Sequence, residues 1–490
     1  MAKKSAKTIA AVSAAAPPEI AVELPISPVV HKTRAERAQA GKDARTVAPL
    51  SGHAEFVTDS RADPIALLEG QATTRVPELV PIRYGRMMTS AFAFYRGAAL
   101  IMAADLAKTP NSGLTVQLCG DAHMSNFGIF ATPERRLAFD LNDFDETHPG
   151  PFEWDVKRLV GSLAVAARDR DFPAKRRRRI LLAAAAGYRE SMRTYADQGN
   201  LAVWYAHMDT DEVLKQINSQ LDTAREVKMQ AALAKARTRD SVQALAKLTA
   251  VVGGRARILS QPPLLVPVEE LWPDQEAAAL YESLHNLVRS YRRTLQRDRQ
   301  QLLEQFRMVQ MARKVVGVGS VGTRAWIILF EGIDGGDPLF LQAKEAQKSV
   351  LSGFVKSVRY RNQGERVVSG QRLMQAASDI FLGWQRTVGV DGVERDFYVR
   401  QLRDGKGSVV VETMVPDGME LYARICGQTL ARAHARSGDR VAIAAYLGAR
   451  DRFDESIADW AEACADQNER DHAALVEAVK SGRLTAEEGI

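Results

Sequence analysis

The segment Cys119-Gly120-Asp121-Ala122-His123-Met124-Ser125-Asn126 puts an acid and an amide on one loop, with four residues between them, directly behind a short apolar run. The next apolar run, RLAFDLNDFDET, sets Asp140, Asp143 and Asp145 within and behind a second expected strand. Two carboxylates and an amide at strand ends are hard oxygen donors, a set that suits Mg²⁺ rather than zinc. Mg²⁺ is commonly held by one or two carboxylates and by substrate phosphates. A further carboxylate nearby can orient or deprotonate a hydroxyl. Asp and Asn are also frequent in turns, where they bond their own backbone. Three acids along an apolar strand are costly unless paired or metal-bound, however, and this favours chemistry.

A second group lies about two hundred residues further on. KVVGVGSVGTRAWIILF contains Gly317-x-Gly319-x-x-Gly322, followed by the β-prone run 325–330. A dinucleotide-binding fingerprint needs a helix at that point, so the context is strand, glycine loop, strand. Lys344 ends the apolar run LFLQAK, 22 residues beyond Gly322. By itself this is equally a plain hairpin with glycines at its turns.

The first segment resembles the catalytic loop of aminoglycoside phosphotransferases and choline kinases, which share the protein-kinase fold. The resemblance implies that Asp121 is the catalytic base and Asn126 a Mg²⁺ ligand. It implies that Asp143 binds metal, with Asp145 beside it, and that Asp155 in PFEWDVKRL buttresses the loop. ATP and Mg²⁺ are the implied cofactors. Gly317, Gly319, Ser320 and Gly322 would cover the phosphates, and Lys344 would pair with the α- and β-phosphates. Active kinases orient that Lys with a helix Glu; Glu365 is one candidate, and Gln371 would be a neutral replacement. Two departures stand out: Cys119 where the family usually has His, and His123 at the second position after Asp121. In ordinary kinases the glycine loop precedes the catalytic loop, whereas here it follows, so the chain reads as a circular permutation. From about residue 31 to 472 it is similar to one bacterial family, the domain of unknown function 2252. The shared motifs are PIRYGRM, FYRG, GDAHMSNFG, FDLNDFDET, VGVGSVGTR, LQAKEA, VVSGQRLMQAASD and YVRQLRD. That family is grouped with kinase-like folds.

The elements that must position these groups follow from periodicity. Residues 1–50 are rich in Ala, Lys and Pro and read as a largely disordered tail. Residues 87–106 read as one helix, 155–195 as two helices broken near Asp171-Phe172-Pro173, and 210–250 and 276–312 as helical. Strands are expected at 114–118, 137–141, 326–330, 339–343 and 397–402, with a helix at 365–379 and helices after Gly418. The expected fold is α+β and two-lobed: a helical large lobe over 51–312, a mostly β small lobe over 313–416, and C-terminal helices over 417–490 that pack on the large lobe. If the permuted reading holds, Lys344 and Asp143 should lie within about 10 Å. Arg83, Arg86 and Arg96 read equally as ligands for an anionic substrate and as partners of the acidic cluster. The basic run 175–179 reads as a solvated face, and His434 as structural.

Composition bounds the rest. The chain has 490 residues, 46% hydrophobic and 26% charged, with a net charge of 66 − 60 = +6. Such a balance suits an anionic ligand but is too weak to indicate nucleic acid. Three cysteines argue against a disulfide framework and fit a reducing cytoplasm. No apolar run is long enough to span a bilayer, and the N-terminus is too weakly apolar for a signal peptide. The reading is an ATP- and Mg²⁺-dependent phosphotransferase acting on a hydroxyl of a small-molecule acceptor. Transfer of AMP to a protein on the same fold, and a non-catalytic nucleotide-binding module, stay open beside it.

Overall fold

The computed structural model describes residues 31–208, 241–272, 277–333, 336–355, 358, 360–389, 391–402, 405, 407 and 409–490. A capping box opens α1 (Arg34–Val47): the Thr33 hydroxyl accepts the Glu36 amide, and the Glu36 carboxylate accepts the Thr33 amide. The helix is anchored by Arg37, 2.8 Å from Asp439, and by Gly41, where a Cβ would meet the Ala442 carbonyl oxygen at 2.0 Å. The expected tail is therefore helical from Arg34 onward, and its first 30 residues lie outside the described ones. After α2 (Pro64–Ala72), the single helix expected over 87–106 is instead three: α3 (Val80–Met88), α4 (Ala91–Gly97) and α5 (Ala99–Leu106). Ser90 turns the chain by accepting the Ala93 amide as an N-cap.

Strand β1 (Thr115–Leu118) pairs antiparallel with β4 (His148–Pro151), and β2 (Phe127–Ala131) with β3 (Leu137–Leu141). The two acidic loops, 119–126 and 142–147, connect these pairs. Helices α6 (Phe152–Asp169) and α7 (Ala174–Ala196) break at Pro173 as expected, and α8 (Asn200–Tyr205) follows. Of the helical stretch expected over 210–250, residues 209–240 lie outside the described ones. Its end forms α9 (Ser241–Leu248) and the start of the hairpin β5 (Thr249–Val252) and β6 (Arg255–Ile258). Then come β7 (Leu265–Pro267), α10 (Val268–Leu271), α11 (Ala277–Arg292), α12 (Arg297–Glu304) and β8 (Arg307–Lys314). The helical pattern expected to 312 thus ends in a strand, and the expected lobe boundary at 313 falls inside it. Pairing with the next strand overrides local propensity there.

Strands β9 (Ala325–Glu331) and β10 (Pro338–Glu345) lead to α13 (Gln363–Met374), β11 (Gly383–Val388) and β12 (Glu394–Gln401). One antiparallel sheet results, in the order β11-β12-β10-β9-β8-β7. Alternation divides its faces. Leu341, Ala343, Val399 and Ile328 pack against Leu284, Tyr291 and Leu303 of α11 and α12. Gln342, Lys344, Tyr398 and Arg400 take the opposite face. Helices α14 (Pro416–Ser437), α15 (Arg440–Leu447) and α16 (Arg452–Lys480) return to pack on α6 and α7. Among the described residues the protein is α+β, with one larger sheet, three two-stranded pairs and a larger helical part. The run at 175–179 is not a free solvated face: Arg176, Arg177, Arg178 and Arg179 pair with Asp417, Glu462, Asp459 and Glu420 and tie α7 to α14 and α16. Among the described residues no helix is long and apolar enough to cross a membrane.

Candidate active site

Gly120 stands where the chain must turn at φ +84°, and a Cβ there would come 2.3 Å from the Glu146 carbonyl oxygen. The loop after it is held from below. Asp155, in the first turn of α6, accepts the Cys119 and Gly120 amides at 2.8 and 3.0 Å. His434 of α14 reaches the same carboxylate at 3.2 Å and the Tyr188 hydroxyl at 2.9 Å. Asp121 accepts from Arg158 at 2.8 Å, and the His123 ring, held well below its usual value by burial and then by Arg158 and Arg96, lies 3.8 Å from its other oxygen. Burial pushes the Asp121 carboxyl up to about 6, against the pull of Arg158. The Asn126 amide nitrogen donates to the Asp121 carbonyl at 2.8 Å, which leaves its oxygen for a ligand.

The second acidic loop faces the sheet. Lys344 lies 2.5 Å from Asp145 and 4.0 Å from Asp143, inside the separation expected of the permuted reading. The Tyr398 hydroxyl donates to the other Asp145 oxygen at 2.6 Å. Burial opposes the charge on both partners. For Asp145 the Lys344 ammonium outweighs it and holds the carboxyl below its usual range. For Lys344 the pair Asp143 and Asp145 outweighs it and holds the amine well above its usual value. Asp145, expected at the metal, thus has both oxygens engaged. The remaining hard donors, one Asp143 oxygen and the Asn126 oxygen, fit a Mg²⁺ that completes its shell with phosphate and water. Among the described residues no group of three or more His, Cys, Asp and Glu side chains is placed to hold a metal ion.

Glu365 is not brought to Lys344; its backbone amide bonds the Asn362 cap at the start of α13. Gln371 donates to Gln375 and does not reach Lys344 either. The helix contributes Arg366 instead, which donates to the carbonyls of Asp145, Thr147 and Gln347 at 2.8, 2.6 and 2.9 Å. The carboxylate facing Lys344 comes from the acidic loop, and the helix holds that loop by its backbone.

The glycine loop joins β8 to β9, an antiparallel pair, as expected. Gly317 and Gly322 adopt φ +65° and +87°. The loop is docked onto the helical part: the Val76 amide donates to the Gly322 carbonyl at 2.8 Å, Arg75 donates to the Val321 carbonyl, and Arg86 to that of Gly317 at 2.6 Å. Gly319 passes over the Arg96 carbonyl, 3.1 Å from where its Cβ would be, and the Ser320 carbonyl accepts from Thr323. None of Arg83, Arg86 and Arg96 forms an ion pair among the described residues; Arg83 bonds Gln71 and the Gly97 carbonyl.

One cavity of about 150 Å³ is lined by Asp121, Asn126, Asp143, Asp145, Gly317, Gly319 and Ser320, with Arg75, Arg96 and Glu146 completing its wall. Burial pushes Glu146 up to about 7. A larger cavity of about 630 Å³, beside Trp272 and Trp326 on the other face of the sheet, contains none of these groups. Its cations are already paired, Arg313 with Glu78 and Arg395 with Asp391. Sequence reasoning missed Arg158, Tyr398 and Arg366. Arg158 was legible as the residue one helical turn beyond Asp155, and Tyr398 as the strand neighbour of Arg400. Nothing in the sequence signals Arg366.

A family model described as "Uncharacterized protein conserved in bacteria (DUF2252)" matches residues 75–478. No curated protein and no solved structure matches the chain.

Proposed function

The chain belongs to this bacterial family, and we propose that it is a kinase-like phosphotransferase on a circularly permuted, two-lobed framework, using Mg²⁺ and ATP to phosphorylate a hydroxyl. The observation that carries the reading is the convergence of Gly317–Ser320, Asp143, Asn126 and Asp121 on one cavity from segments about two hundred residues apart, with Lys344 paired to Asp145 in its wall. The acceptor oxygen would attack the γ-phosphorus while its proton passes to Asp121. The bond from that phosphorus to the bridging oxygen of ADP breaks, and Asp121 later releases the proton to water. Mg²⁺, held by Asp143 and Asn126, would neutralise phosphate charge. The glycine-loop amides and Lys344 would orient the phosphates once Lys344 exchanges Asp145 for them. The volume of about 150 Å³, with Gln71 of α2 and Arg96 and Gly97 of α4 in its wall, supports a small-molecule acceptor.

The test is transfer of label from γ-labelled ATP into a bacterial metabolite extract, with Asp121→Asn as control. A small labelled product from the native chain alone is expected. Label arriving only from α-labelled ATP would mean nucleotidyl transfer, and no product from either would mean a binding module.

A further inference from the structure

The charges of the cavity do not balance evenly along its length. Its acids are answered at short range: Asp121 by Arg158 at 2.8 Å, Asp145 by Lys344 at 2.5 Å, Asp143 by the same amine at 4.0 Å, Glu345 by Arg324 at 3.2 Å, and Glu146 by the Val350 amide at 2.7 Å. Two cations in its lining, Arg96 and Arg75, are not paired in this way. The Arg96 guanidinium makes no hydrogen bond or ion pair among the described residues, and its buried Nε has no partner. Arg75 is 7% exposed; it donates to the Val321 carbonyl, while its Nε is buried without a partner. Both line the cavity. A buried guanidinium without an anion is costly, because guanidinium cannot shed its proton in the way a buried Lys does. Burial draws both arginines below their usual value, the direction that an arriving anion would reverse.

Arg96 lies between the glycine loop, whose Gly319 passes over its carbonyl, and the base in the same cavity. The carboxylates that Arg96 senses are Asp121 and Glu412, whereas Lys344 senses Asp143 and Asp145. Arg96 and Asp121 thus line one cavity and act on each other's charge, and the acceptor hydroxyl must sit beside that base.

We propose that Arg96, with Arg75 in the lining of the same cavity, is an acceptor subsite for an oxyanion: the substrate is a small hydroxy compound that carries a phosphate or carboxylate group. The proposal rests on the phosphotransferase reading and adds the acceptor's charge to it. A planar guanidinium offers two parallel donors to either acid.

The experiment is calorimetry on the full chain loaded with Mg²⁺ and a non-hydrolysable ATP analogue, titrated with orthophosphate and, separately, with acetate. At least one anion should bind, and the stronger one identifies the acid class. Arg96→Gln should weaken that binding about tenfold while changing analogue affinity by less than about threefold. Arg96→Lys, which keeps the charge without the fork, should weaken it by a smaller factor and serves if the Gln variant does not fold. The proposal is overturned if neither anion binds, if the anion displaces the analogue, or if both Arg96 variants bind it as the native chain does. Failure of the analogue to bind at all, with Arg96-dependent anion binding retained, would overturn the nucleotide reading and leave the anion subsite standing.

Discussion

Asp121 is subject to two opposed influences, and its chemistry depends on their balance. Burial raises its carboxyl to about 6, and Arg158 pulls it down. As the proposed base, Asp121 would have to be ionised to accept a proton, so turnover should fall about tenfold per pH unit below about 6. Arg158→Gln removes the opposing cation. The acid limb should then move to higher pH, which a pH–rate profile of the two proteins would show; an unmoved limb would mean that another group titrates. Asp121→Asn should keep ATP affinity within about threefold and cut turnover about a hundredfold or more. Asp143→Asn should abolish Mg²⁺-dependent ATP binding in calorimetry. If that binding persists, the metal lies elsewhere on the acidic loop.

The clearest departure from expectation at the level of elements is α13. Its Arg366 grips the backbone from Asp145 to Thr147, so the helix fixes the acidic loop and not the Lys344 side chain. Arg366→Gln should destabilise the protein by about 1–3 kcal/mol through carbonyls left unpaired, readable as a shifted denaturant midpoint. Glu365→Gln should leave that midpoint within about 0.5 kcal/mol. The acidic loops and the glycine loop were legible in the sequence because their residue types are expensive anywhere but at a site or a turn. The strands that carry them were legible because apolar runs ended in those residues. Glu365 misled because spacing alone does not report which face of a helix turns inward. The break at Ser90 and the strand at Arg307–Lys314 were hidden for a related reason. A local cap and a distant pairing partner decided them, and a helical period shows neither.

At the scale of the whole molecule, the chain's two ends build one helical body: Arg37 meets Asp439, and Arg61 meets Asp471 at 2.5 Å. Beneath the acidic loops the buried pair Asp140 and Arg432 closes at 2.5 Å. Arg432→Ala would leave Asp140 buried with the Leu141 and Ala376 amides but no cation and should cost about 3–5 kcal/mol in denaturant unfolding; a loss under about 1 kcal/mol would mean that the pair is dispensable. This pair and the His434–Asp155 contact have a consequence for vectorial synthesis. The loop that bears Asp121 emerges from the ribosome about three hundred residues before the helix that supplies Arg432 and His434. At roughly 5–20 residues per second, the loop waits many seconds for its supports. A nascent chain can form the contacts of Asp155 and Arg158 to the loop early, yet Asp155 lacks His434 and Asp140 lacks Arg432 until α14 has been made. On the proposed reading, the timetable of translation would withhold a fully braced loop, and with it phosphoryl transfer, from a chain still being made.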